Sequence, residues 1–244
     1  MAKKPFINSF KRGVLLSSNN TGRVLIVFAQ AAEAEATLRR LHAEPVEGET
    51  IHVWSEGEIP CLYRFERGHI AISNLGLHAA QMSVARYSQG CDEVWNLGLA
   101  GALNDRLPIG SLFSIGMVGK YIPAFLDSFD PLTQECVAFT LPHFNLEQHA
   151  ECLISSDFPV HHLEYRTSLA QKWDLVDMEG YGVAYASQYL KKNVGYGKSF
   201  LISHRQVAGN SSESIRPSSQ IKWQKVSSSH SPKPSYRKFL NDIS

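Results

Sequence analysis

The chain has 244 residues, 43% of them hydrophobic and 19% charged, enough to bury one sizeable core as a single α/β domain. The formal net charge of +1 gives no global field to favour nucleic acid or an anionic membrane surface. No stretch approaches the roughly 20 apolar residues of a membrane span.

Residues 1–22 read as a basic, flexible arm: Met1 to Arg23 carries five basic residues and no acidic ones. Its longest apolar run, Val14-Leu15-Leu16, is far short of the roughly 7–15 residues of an export signal. The domain is expected over 23–244. Val24–Phe28 is a continuous apolar run, suited to a strand covered on both faces, and leads into a helix with Ala34, Leu38 and Leu41 at helical spacing. Shorter strands are expected near Ile51–Trp54, Cys61–Phe65 and His69–Ser73, with Gly76 punctuating before a helix over Ala79–Tyr87. Glu93–Leu97 reads as a strand with Gly98–Leu103 as its exit loop. Further strands are expected at Leu112–Val118, Glu151–Ser155 and Leu175–Asp177. Asp177 is placed to cap a helix from Met178 to about Lys192.

This alternation predicts a mixed, mainly parallel central sheet flanked by helices. Residues 210–235, rich in Ser, Pro and Lys, read as a long loop before a short closing helix, Tyr236 to Ile243. The cysteines Cys61, Cys91, Cys136 and Cys152 form no CxxC pair and read as buried free thiols of a reducing, cytoplasmic compartment.

In open α/β sheets ligands bind at the carboxyl ends of strands. Glu33, Ser73–Gly76, Asn96–Gly101 and Asp177–Glu179 all fall at such ends. One carboxylate can deprotonate water, and a second can hold sugar hydroxyls and offset developing positive charge. The helix dipole alone also favours an acidic residue in a first turn, so neither Glu33 nor Glu179 is diagnostic singly. The GxxG at Gly98 and Gly101 lacks the full pattern of a dinucleotide loop or a P-loop. The adjacent pair His161-His162 is not a metal-ligand spacing, and neither H-E-x-x-H nor G-x-S-x-G is present.

The islands Val94-Trp95-Asn96-Leu97-Gly98-Leu99-Ala100-Gly101-Ala102-Leu103, Asp177-Met178-Glu179-Gly180, Ser73-Asn74-Leu75-Gly76 and Ser155-Ser156-Asp157-Phe158-Pro159-Val160 occur in one order. Together they resemble the nucleoside phosphorylase/hydrolase superfamily over roughly Arg23 to Gln188. The resemblance is nearest to the methylthioadenosine/adenosylhomocysteine nucleosidases and the futalosine hydrolases, and the N-L-G-L-A-G-A-L form points to the latter.

The resemblance implies that Glu179 holds the ribose 2′- and 3′-hydroxyls and that Met178 lines the sugar. It puts Ser73 near ribose and base, with Gly76 and Gly98 in the binding set, and Phe158 and Val160 on the purine. The family's water-activating glutamate follows the first strand, which implies Glu33, with Glu35 as the alternative. The two sit roughly 200° apart on a helix, so both cannot face one pocket.

Where the methylthioadenosine enzymes carry I-S-D, this chain has Ile202-Ser203-His204 or, later, Val226-Ser227-Ser228. Neither contains the purine-protonating aspartate, and His204 is the candidate proton donor. The expected activity is hydrolysis of the N-glycosidic bond of a purine nucleoside, futalosine or aminodeoxyfutalosine on the route to menaquinone. It needs no metal or organic cofactor and is expected in a homodimer. The alternatives are a methylthioadenosine/adenosylhomocysteine nucleosidase and a non-catalytic nucleoside-binding module.

Overall fold

The computed structural model describes residues 22–103, 107, 112–121, 139–140 and 151–202. Residues 1–21, Cys136, His204, the Ser-rich stretch 210–235 and the segment 236–243 lie outside them.

Strand β1 (Val24–Phe28) is buried at all five positions. Val24, Ile26 and Phe28 join one apolar cluster, and Leu25 and Val27 join another, so both faces of the strand are covered. That is why its sequence is continuously apolar instead of alternating. Helix α1 (Ala31–Arg40) follows after two residues and turns Ala34 and Thr37 inward. Leu38 and Leu41 pack on the same cluster as Ile26.

Three peripheral strands come next: β2 (Glu44–Pro45), and the antiparallel pair β3 (Thr50–Val53) and β4 (Gly57–Pro60), which forms a separate two-stranded sheet. Strand β5 (Leu62–Phe65) then returns antiparallel on β6 (Gly68–Ile72). Helix α2 (Leu77–Tyr87) buries Leu77, Ala80, Ser83 and Val84.

Strand β7 (Glu93–Ala102) runs ten residues. The segment expected as its exit loop is strand, because it is hydrogen-bonded on both sides at its far end. Ala100 and Gly101 pair with one neighbour, and Gly101 and Ala102 pair with another. The remaining elements are β8 (Leu112–Lys120), β9 (Phe139–Thr140), β10 (Glu151–Ser155), α3 (Leu163–Leu169), β11 (Leu175–Asp177), α4 (Gly180–Tyr189) and β12 (Asn193–Ile202). Helix α4 is shorter than the periodicity suggested, and α3 and β12 were not anticipated.

The main sheet has the order β11-β10-β8-β12-β7-β1-β6-β5-β2, with β9 on β8. It is mixed: β6, β1, β7 and β12 run parallel to one another, as do β8, β10 and β11, and the two groups meet antiparallel. Strand β11 also pairs with β7, so β7, β12, β8, β10 and β11 close into a ring. This closure brings the carboxyl end of β11 against the middle of the sheet.

Helices α2 and α4 pack together beneath that point. A Cβ on Gly182 would stand 2.1 Å from the Leu77 carbonyl oxygen, so the two backbones touch. Glycine is the residue that permits this approach. The contact sets the start of α4 beside the loop that precedes α2. Among the described residues no helix is long and apolar enough to cross a membrane. Cys61 and Cys91 are buried and Cys152 is half-buried, all as free thiols.

Candidate active site

Glu33 lies in the first turn of α1, just past the end of β1. Its carboxylate turns back over the sheet and accepts hydrogen bonds from the backbone amides of Gln30, Ala29 and Leu99. It covers Gly98, whose backbone has φ +148° and whose missing Cβ would stand 2.8 Å from Glu33 Oε2. Burial pushes the Glu33 carboxyl above its ordinary range, partly offset by the charge of Lys198 and by those amides. Glu35 is exposed on the outer side of α1 and pairs with Arg39 at 3.6 Å.

Glu179 follows β11 and immediately precedes α4; it is 5% exposed. The Gly76 amide donates to its Oε1 at 3.0 Å, and the Met178 amide donates to its Oε2 at 3.3 Å. Burial, then the negative charge of Asp177, push its carboxyl up to about 7, with Glu33 adding a smaller push. Lys198 and the Gly76 amide act in the opposite direction. The two glutamates therefore sense each other's charge.

Asp177 organises the floor of this site. Its carboxylate accepts from the Ser155 hydroxyl, from the Gly180 amide at 3.0 Å and from Lys198 Nζ at 2.8 Å. The helix starts later than expected, so the cap position falls on Glu179, which makes no side-chain cap hydrogen bond, and Asp177, two residues earlier, instead accepts from the Gly180 amide. Ser155 in turn accepts from the Tyr181 amide at 2.8 Å, and the Tyr196 hydroxyl donates to the Gly180 carbonyl at 2.7 Å. The first turn of α4 is thus tied to β10, β11 and β12 together, which immobilises Glu179.

Lys198 is 2% exposed on β12, in register with Gly98 of β7. Burial pulls its ammonium down, but Asp177, Glu179 and Glu33 together outweigh that, and it stays protonated. Three carboxylates and one ammonium thus share a largely buried space. Ser155 stands in the sequence only as the first residue of the Ser155–Val160 island, without a role, and Lys198 belongs to no motif. The only signal was a lone charge in the small-residue run Gly195-Tyr196-Gly197-Lys198-Ser199.

The other expected residues are spread around this centre. The Ser73 hydroxyl is buried and directed at main-chain carbonyls, Asn74 at 2.8 Å and Phe28 at 3.2 Å. Met178 is half-buried beside Glu179. Phe158 is 61% exposed, with its amide donating to Ser156 Oγ at 3.2 Å. Val160 leans on the cluster of Leu103, Ile154, Leu169 and Trp173. Lys120 and Asp157 pair at 3.2 Å beside the Phe158 loop. Among the described residues no three His, Cys, Asp or Glu side chains form a metal-holding group.

Chemically, a buried carboxylate with a raised pKa is a competent general base near neutral pH. A second anion close by stabilises positive charge that develops between them.

No family model matches the sequence, and no curated protein is significantly similar to it. Solved structures are similar in fold. A methylthioadenosine nucleosidase mutant of Helicobacter pylori, holding 5′-methylthioadenosine, superposes with a TM-score of 0.56 at 20% identity, over 73% of this chain and 84% of that one. A futalosine hydrolase mutant of Helicobacter pylori gives 0.56 at 20% identity, over 74% and 89%. The methylthioadenosine/adenosylhomocysteine nucleosidase of S. pneumoniae, with a transition-state inhibitor, gives 0.56 at 16% identity, over 73% and 84%. This chain shares the fold of those nucleosidases.

Proposed function

We propose that this protein hydrolyses the N-glycosidic bond of a purine nucleoside. The observation that carries the reading is the convergence of two carboxylates from distant parts of the sequence, half-buried Glu33 over Gly98 of β7 and buried Glu179 against the Gly76 amide, close enough to sense each other's charge.

In this reading Glu33 takes a proton from water as the water oxygen adds to C1′. The C1′–N9 bond breaks and the purine leaves with the bonding pair. Glu179 accepts hydrogen bonds from the ribose 2′- and 3′-hydroxyls, and its charge offsets the cation-like sugar. Met178 and Ser73 flank the ribose, while Phe158 and Val160 cover the base. His204, two residues beyond the end of β12, is the candidate donor to the departing purine.

The favoured substrate is futalosine or its aminodeoxy analogue, in menaquinone precursor synthesis. The N-L-G-L-A-G-A-L strand and the absence of an aspartate after Ile202-Ser203 support this choice. A methylthioadenosine/adenosylhomocysteine nucleosidase is the second reading, favoured by the fold likeness to such enzymes. The free thiols support a cytoplasmic setting. Tyr185, Tyr189 and Met82 stand exposed on the adjacent helices α4 and α2, which supports a homodimer.

The test is purine release from futalosine, aminodeoxyfutalosine, methylthioadenosine and adenosylhomocysteine, with and without phosphate, by wild type and Glu179→Gln. Phosphate-independent release, lost in the variant, is expected, with the futalosine compounds preferred. Binding without release from any substrate would overturn catalysis and leave a nucleoside-binding module.

A further inference from the structure

We propose that Lys198 is the positioning residue of this site, a fixed positive charge that keeps Glu179 and Glu33 anionic and in place for the ribose and the water. The inference rests on the nucleosidase reading and adds to it a residue that does not touch the substrate.

The geometry comes first. Lys198 projects from the middle of β12, 2% exposed, with its ammonium 2.8 Å from Asp177. Asp177 is itself immobilised by Ser155 and Gly180, so the ammonium cannot drift. The neighbouring strands leave room and add no charge there: Lys198 is in register with Gly98 on β7 and with Phe113 on β8. Among the described residues the ionisable groups that act on it are Asp177 at the end of β11, Glu179 just before α4 and Glu33 on α1. On its own strand Tyr196 spends its hydroxyl on the Gly180 carbonyl.

With all four groups ionised the cluster carries three negative charges and one positive. Asp177 already holds the ammonium directly, so Lys198 acts on the two glutamates through space. It lowers the cost of ionising each, while Asp177 raises that cost for Glu179. Removing the lysine and removing the aspartate charge should therefore act on Glu179 in opposite directions. A merely structural pair would not do this: losing either half would damage the site in the same way.

The test compares Lys198→Met, Lys198→Arg and Asp177→Asn with wild type, reading the acid limb of kcat/KM against pH. The limb should move up by about one pH unit or more in Lys198→Met. It should stay near wild type in Lys198→Arg and move down in Asp177→Asn. The same shifts should appear without substrate in the carbon-13 NMR titration of the Glu179 carboxyl, assigned with Glu179→Gln. An unmoved limb and resonance in Lys198→Met, shifts of the same sign in Lys198→Met and Asp177→Asn, or a Lys198→Arg limb as displaced as that of Lys198→Met would each overturn the proposal. If Lys198→Met does not fold, Lys198→Arg and Asp177→Asn still decide it. Should wild type release no purine at all, the nucleosidase reading falls, while the NMR titration still tests the lysine.

Discussion

The carboxylate of Glu33 occupies the space that a side chain on residue 98 would need, with Oε2 2.8 Å from the position of a Cβ there. The glycine in the middle of β7 thus acts through the glutamate above it. Gly98→Ala forces the carboxylate to shift and strains a backbone at φ +148°. Misplacing a reacting group by about 1 Å can cost on the order of 100-fold. Gly98→Ala is therefore expected to lower kcat by roughly 10- to 100-fold while nucleoside-analogue binding, measured calorimetrically, changes little. Equal loss in both would indicate that the strand itself has been disrupted.

Glu33 and Glu35 are separated by the same geometry. One is turned over the sheet and the other is exposed beside Arg39. Removing a general base typically costs roughly 10²–10⁴-fold. Glu33→Gln should lose activity on that scale with KM nearly unchanged, whereas Glu35→Gln should retain wild-type rates. Loss of rate in Glu35→Gln with a fully active Glu33→Gln would transfer the role.

How much of this was legible in the sequence depended on whether a residue's signal was local. The run Val24–Phe28 declares a strand covered on both faces, and the spacing of Ala34, Leu38 and Leu41 declares the helix after it. Glu33 and Glu179 could be picked out because they follow apolar strands directly. The extension of β7 and the whole of β12 were not legible. Their runs, Gly98-Leu99-Ala100-Gly101 and Gly195-Tyr196-Gly197-Lys198, are rich in glycine and lack the alternation that marks a strand. They are strands because β11 and β8 pair with them from far along the chain. The same long-range pairing brings Lys198 to Asp177, so the charge balance of the site depends on the ring closing.

That charge balance predicts a pH dependence. Burial and the charge of Asp177 push the Glu179 carboxyl up to about 7, burial raises that of Glu33, and both must be ionised to act. Because the two groups interact, the observed values belong to the pair. The rate constant kcat/KM should fall as pH drops through about 7, more steeply than for one proton. In Glu179→Gln the Glu33 carboxyl, followed by carbon-13 NMR, should titrate lower than in wild type, because it has lost a like charge. A profile that stays flat from pH 5 to pH 8 in wild type would contradict both the raised carboxyls and their roles.

Close packing of the helices predicts an effect on folding. Gly182 touches the backbone of Leu77, and a methyl group there would stand 2.1 Å from a carbonyl oxygen that no rotamer change can move. Overpacking of this kind typically costs about 1–3 kcal/mol, occasionally more. Gly182→Ala should lower the unfolding free energy obtained from urea titration by that amount and also weaken nucleoside binding, since the same contact holds Glu179 beside Gly76. Unchanged stability would mean that α4 can move away from α2 without cost.

The raised carboxyl of Glu179 is also a statement about stability. Between its ordinary value of 4.5 and about 7 the folded chain holds a proton that the unfolded chain releases. Raising the pH through that window therefore favours unfolding. Above about 7 the penalty is complete, and at ~1.4 kcal/mol per pH unit it amounts to about 3–4 kcal/mol. Glu179→Gln removes the charge but keeps an oxygen that can accept from the Gly76 amide. The variant should thus be inactive yet more stable than wild type at pH 8, with the difference shrinking towards zero near pH 5. Thermal unfolding of both proteins across that range measures it. A variant less stable than wild type at pH 8 would mean that the carboxylate is held by more favourable contacts than its burial and like-charge neighbours cost it.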